Sequence, residues 1–218
     1  MAKSEVSYVD HMGSDVRAAE AARVSFYNSA FGSDELSERD AKLIAFLARE
    51  NHTSPFEHST LSVSIKCPLF VRSQIMRHRT FSFNEVSRRY TSENIEFFEF
   101  DGLREQAAKN LQCSTQSLVP STEGLSASLS AHNQASLSLY NRLLEQGVAR
   151  EQARSVLPQS LMTSFIMTGN VLNWVKFLRL RLDAHAQPEC REVAEEIRDI
   201  LIEYFPKSCS VFELVSIL

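Results

Sequence analysis

The residues of this chain that could do chemistry are concentrated in one short stretch. Arg77-His78-Arg79 is followed, after seven residues, by Ser87-Arg88-Arg89-Tyr90. Two guanidinium forks around an imidazole offer donors to phosphate oxygens or carbonyls, and Ser87 and Arg89 add a hydroxyl and another fork. From Arg72 to Arg89 five arginines face one acid, Glu85, a local balance of +4 in a chain whose net charge is −4. A cationic island in an acidic protein points to a local anion site rather than a polyanion-binding face. Two other readings of the same residues stay open on composition alone. One is a solvated basic turn with Glu85 as ion-pair partner. The other is a nucleotide- or nucleic-acid-binding module that stacks bases on Phe81, Phe83 and Tyr90 without catalysis.

What is missing narrows the chemistry. The six glycines lie at 13, 32, 102, 124, 147 and 169, so neither a dinucleotide fingerprint nor a P-loop can be built from them. Any nucleotide must be held by side chains. The cysteines at 67, 113, 190 and 209 form no close pair and have no base or cation next to them in sequence, which argues against a thiol nucleophile, a redox pair or a zinc knuckle. His52, Glu57 and His58 share one segment without a fourth donor, a weak metal signal, and we expect no metal.

The elements that must position these groups follow from periodicity. Apolar residues at Leu36, Leu43, Ile44 and Leu47 predict a helix over 34–50 with Ser33 as N-cap. Strict alternation over Thr60–Lys66 predicts a half-buried strand. Pro68 suits the first turn of a helix reaching Arg77, with Gln74 and Arg77 on one face. Phe81 to Tyr90 reads as an extended piece and turn, and Glu93–Phe100 as a strand. Residues 113–130, with Pro120 and Gly124, read as a loop or insertion. A helix to Gln146 stops at Gly147, and a short one over 148–157 closes at Pro158. Leu161–Thr168 is expected as a strand, and Asn170 as cap of a helix with Val171, Trp174, Val175 and Leu178 inward. Pro188 opens the last long helix, with Val193, Ile197, Leu201 and Tyr204 inward. The mixed order of strands and helices is that of an α+β protein, expected as a single domain over 1–218. With 44% hydrophobic and 23% charged residues, no membrane-length apolar run and no secretory segment at the N-terminus, a reduced, cytoplasmic protein is expected.

The arginine pattern is also a resemblance. Arg-His-Arg-x7-Ser resembles the signature of the flavin-dependent thymidylate synthases. Further blocks resemble that family's in the same order: Ala22–Phe26, His52–His58, Gln74 before Arg77, Asn84-Glu85-x-Ser87, Arg89-Tyr90, Ala153-Arg154-x-x-Leu157-Pro158, and Leu180-Arg181 with His185-Ala186-Gln187. The resemblance implies an α+β homotetramer with a central, mostly antiparallel sheet flanked by helices and active sites between subunits. It further implies reductive methylation of dUMP to dTMP, with methylenetetrahydrofolate as carbon donor and NADPH as reductant through FAD, and no nucleic-acid or membrane partner. By position, Gln74, Ile75, Met76, Arg77, Glu85, Val86, Ser87, Arg88, Arg89, Arg154 and Arg181 match the dUMP-binding set, with Ile75, Met76 and Val86 contributing through backbone. Arg181 matches the catalytic arginine that polarises the uracil. Ser54, Arg77, His78, Arg79, Thr80, Glu85 and Asn170 match FAD positions, and His52 a histidine near flavin and folate. The family often carries Asn-x-Arg where this chain has Asn170-Val171-Leu172. Lys176, four residues on, is placed to share the face of Leu172 and supply the missing cation to FAD.

Overall fold

A computed structural model describes residues 2–26, 32 and 35–216. In chain order it contains β1 (Glu5–Met12), α1 (Asp15–Arg23), α2 (Glu38–Arg49), β2 (Thr60–Pro68), α3 (Leu69–Ile75), β3 (Ser82–Glu85), β4 (Arg104–Gln106), β5 (Ser114–Leu118), α4 (Glu123–Glu145), α5 (Arg150–Ala153), β6 (Met162–Asn170), α6 (Val171–Arg181), α7 (Pro188–Tyr204) and α8 (Pro206–Val211). Four strands form one sheet in the order β1-β2-β6-β3, and β4 pairs antiparallel with β5. The class is α+β, with a mostly antiparallel sheet flanked by helices.

The chain divides into two compact units. The first takes Met1–Glu5, Lys66–Arg77 and Glu85–Phe165; the second takes Val6–Ile65, His78–Asn84 and Ile166–Leu218. In the second, the alternation of β2 buries Leu61, Val63 and Ile65 completely. Trp174 and Phe177 of α6 and Ile197 and Leu201 of α7 are equally closed off from solvent. Each such side chain is worth about 1.5–3 kcal/mol of burial. Trp174 is also pinned by its indole N–H, which donates to the Leu61 carbonyl at 3.1 Å. In the first unit Val71 and Ile75 of α3, Tyr140 of α4 and Ala153 of α5 are fully buried.

Several expectations hold in detail. Asn170 caps α6 by accepting from the Asn173 N–H at 2.9 Å, and the four predicted inward residues of that helix are buried. Gly147 ends the α4 segment at φ +81°, a conformation that costs glycine nothing.

Others are corrected. Ser33 lies outside the described residues, and α2 is capped by Ser37, whose hydroxyl oxygen accepts from the Asp40 N–H. Pro68 closes β2 at ψ 155° instead of entering the helix, and α3 stops at Ile75, so Gln74 and Arg77 do not share a helical face. Residues 93–100 do not make a strand. Asn94 takes φ +51°, and only isolated bridges at Phe97 and Phe98 remain. The loop expected over 113–130 is largely regular, because β5 pairs with β4 and α4 starts at Glu123, leaving Pro120 in the short link. Tyr204 is only half-buried, stacked on Tyr8 at 4.5 Å, while Phe205 takes the core position. Neither β1 nor α1 was anticipated: β1 is largely exposed and carries no clean alternation.

Candidate active site

In the first unit, two segments carry the residues assigned to the nucleotide. The first turn of α3 is tied down by its own amides, Leu69 N–H to the Leu161 carbonyl at 3.0 Å and Phe70 N–H to the Gln159 carbonyl at 3.2 Å. The helix ends with half-buried Gln74 and fully buried Ile75, Met76 caps it, and Arg77 follows beyond its end, exposed. The second segment leaves β3 at Glu85. Val86 N–H pairs with the Ser164 carbonyl at 2.9 Å, and Ser87 then organises a turn. Its carbonyl accepts from Tyr90 and Thr91, and its hydroxyl oxygen accepts from the Arg89 N–H at 3.3 Å.

These bonds decide what the backbone can still offer. The N–H groups of Met76, Arg77 and Val86 are all committed within the fold, to the carbonyls of Arg72, Gln74 and Ser164. The backbone N–H groups at Met76 and Val86 are therefore not available as donors.

The side chains divide just as clearly. Arg88 is buried, and its two terminal nitrogens donate to the carbonyls of Glu93 and, at 3.1 Å, Asn94. Burial lowers its pKa and the nearby Tyr140 raises it. Arg88 thus anchors the 93–94 loop, and those bonds are why that segment cannot extend into a ladder. Arg89 is exposed and lies over the Tyr90 ring at 5.5 Å. Glu85 is held on both oxygens: Oε2 accepts from Nε of Arg72 at 3.0 Å and from its Nη2, and Oε1 accepts from the Thr163 hydroxyl at 2.8 Å. Arg72 and Thr163 were not singled out from sequence, although Glu85, the lone acid of a cationic run, was the signal that a partner existed. Arg154 is exposed, and its Nε donates to the Glu151 carbonyl at 3.4 Å. A cavity of about 340 Å³ opens beside this loop, walled by Val86, Arg88, Thr91 and Thr163 among others. That volume is within the range of small-molecule sites.

In the second unit the centre of interest is a cation beside an imidazole. Arg181, in the last turn of α6, donates from Nε to Nε2 of His78 at 3.0 Å. The acceptor role assigns His78 the tautomer protonated on Nδ1. Its ring meets Phe177 edge-on at 4.8 Å. Burial and the Arg181 charge lower its pKa to about 4, so at neutral pH an uncharged imidazole orients a charged guanidinium. The end of α6 also favours a cation there through its dipole.

The start of α6 fixes the other flank. Asn173 donates to the Thr80 carbonyl at 3.2 Å. Phe81 packs so closely on Gly169 that a Cβ there would lie 2.3 Å from its ring, so the 78–81 segment is held against the residues that open the helix. Asn170 has its side-chain oxygen committed to capping, so any donor role of that side chain falls to the two N–H bonds of Nδ2. Ser54, Arg79 and Thr80 are exposed, and among the described residues Arg79 makes no ion pair. Leu172 is buried while Lys176 is exposed, so the two do not present one face: the leucine belongs to the core and the lysine to solvent. His52, Glu57 and His58 are all exposed, and among the described residues no group of three or more metal-type side chains converges.

Cys67, Cys113, Cys190 and Cys209 are not joined in disulfides. Burial pushes Cys190 up to about 11 and Cys209 up to about 12, which keeps both protonated and poor nucleophiles. No helix among the described residues is long and apolar enough to cross a membrane.

The geometry is therefore one of arginine forks, carboxylate and hydroxyl groups. Three comparisons place it among known proteins. The family described as thymidylate synthase complementing protein matches residues 7–207. A flavin-dependent thymidylate synthase of Thermus thermophilus is 42% identical over 211 residues, 97% of this chain and 76% of that protein. Its counterpart from Treponema denticola is 38% identical over 215 residues, 97% of this chain and 79% of its own length. Among solved structures, the UMP/dUMP methylase PolB from Streptomyces cacaoi, bound with 5-Br dUMP, superposes with a TM-score of 0.86 at 32% identity, covering 97% of this chain and 95% of that one.

Proposed function

Because the chain belongs to the flavin-dependent thymidylate synthase family, we propose that it converts dUMP to dTMP as a homotetramer with active sites between subunits, each chain a single synthase domain. Methylenetetrahydrofolate supplies the carbon and NADPH the reducing equivalents. The observation that carries this reading is the hydrogen bond from Arg181 Nε to Nε2 of His78 at 3.0 Å, which aims the guanidinium.

The donor set fits FAD without a glycine-rich loop. Arg77 and Arg79 are exposed cations able to receive a pyrophosphate, and the hydroxyls of Ser54 and Thr80 and the Asn170 amide add neutral donors. Lys176 is a further exposed cation on α6, and His52 is free to face the flavin or the folate. When bound, FAD supplies the redox chemistry that passes hydride from NADPH. The protein's own work is binding and polarisation. Gln74, Arg77, Ser87, Arg89 and Arg154 hold the nucleotide, with Glu85, Arg88 and the backbone of Ile75, Met76 and Val86 shaping its pocket. Arg181 stabilises negative charge that develops on the pyrimidine as C5 becomes nucleophilic. No cysteine is required to attack the ring, in keeping with the protonated state of Cys190 and Cys209.

The purified protein should be yellow and should release tritium from C5-labelled dUMP when given NADPH and the methylene donor. Arg181→Ala should lower turnover by about 10²–10³-fold, the loss typical of removing one donor to a developing oxyanion, and dUMP affinity by less. A colourless protein that takes up no FAD, or a variant with unchanged turnover, would refute the proposal.

A further inference from the structure

We infer that Arg72 is a positioning residue for the anionic nucleotide, acting through Glu85; the inference rests on the reading of Glu85 as part of the dUMP site. Arg72 is on α3, two residues before Gln74, and Glu85 ends β3, directly before Val86–Arg89. Their contact therefore joins the two segments of the first unit to which the nucleotide-binding residues are assigned. Both Nε and Nη2 of Arg72 go to Oε2, and the Thr163 hydroxyl of β6 takes Oε1. The side chains are 34% and 20% exposed, so the pair is only partly screened by solvent.

The physical need for Arg72 comes from the substrate. A nucleoside monophosphate is an anion, and an uncompensated carboxylate beside its site repels it. With Arg72 bound on one oxygen, Glu85 is charge-neutralised and locked in orientation, able to accept a hydrogen bond from the nucleotide without opposing its phosphate. Arg72 thus turns a liability into an acceptor, and its own charge does not reach the ligand.

Calorimetric titration of the flavin-loaded protein with dUMP tests this on four variants. Arg72→Gln should raise Kd about tenfold, with an unfolding midpoint close to wild type. Arg72→Lys, which restores the charge but only one contact, should recover most of the loss. Glu85→Gln in the Arg72→Gln background should also recover affinity, because removing the stranded charge removes the repulsion. Glu85→Gln alone should weaken binding moderately. Independent, multiplying losses in the double variant, no rescue by lysine, or an unchanged Kd in Arg72→Gln would each overturn the inference. Wild-type protein that binds no dUMP would instead overturn the proposed function, and the inference with it.

Discussion

Arg79 and Arg88 lie nine residues apart in one cationic run, and the fold treats them oppositely. Arg88 is buried with its donors committed to the carbonyls of Glu93 and Asn94. Arg79 is exposed and, among the described residues, makes no ion pair. Residue type is therefore a poor guide to role within an arginine-rich stretch. What separates framework from recognition is whether the guanidinium donors are already satisfied by the chain itself. A buried arginine with satisfied forks holds a loop in shape; an exposed one has its donors in reserve for an anion.

The largest effect should come from the buried member. Arg88→Ala removes two charge-assisted bonds and leaves two loop carbonyls to find water, at a cost of about 3 kcal/mol of stability, read as a lower urea midpoint. dUMP affinity should fall in parallel because the 86–94 loop loses its anchor, and Arg88→Lys should recover little, since one ammonium cannot reproduce the fork. A variant with wild-type stability and weakened dUMP binding would mean that Arg88 is a direct ligand and would erase the contrast.

Arg79→Ala should behave in the opposite way. Stability should stay within about 0.5 kcal/mol, the range of ordinary surface substitutions. FAD affinity should drop about tenfold, or about 1.4 kcal/mol, as one charge-assisted contact to an anionic group is lost, and flavin fluorescence titration would measure it. Loss of stability without loss of flavin would place Arg79 with Arg88 instead.

This contrast also marks how far the sequence could be read. Elements with a clean period or a specific cap were legible: the alternation of β2, the inward stripe of α6 and its Asn170 cap all stand as written. Positions governed by long-range bonds were not. Residues 93–100 carry strand-forming aromatics, yet Arg88 claims the carbonyls of Glu93 and Asn94 and Asn94 turns left-handed. Lys176 follows Leu172 at a helical interval, but burial of the leucine and exposure of the lysine are set by what α6 packs against. Nor could spacing show that Arg72, not Arg77, would meet Glu85.

A third kind of contact lies between these extremes, and pH exposes it. The Nε bond of Arg181 is made to a titratable acceptor and depends on His78 remaining neutral. The folded state lowers the His78 pKa from 6.5 to about 4. Between those values the unfolded chain binds more protons than the folded one, so stability falls as pH drops through that window and is fully present above it. Allowing for the partial solvent exposure of the pair, the change is about 1 kcal/mol, below the losses expected for Arg88 stability and Arg79 flavin affinity. His78→Gln keeps a neutral acceptor for Arg181 and cannot titrate. It should flatten the acid side of the stability profile, measured as urea midpoints from pH 7 to pH 4, while retaining more turnover than Arg181→Ala. An unchanged acid limb in His78→Gln would show that protonation of this imidazole does not set the acid side of the stability profile, and would refute the pH dependence assigned to the pair.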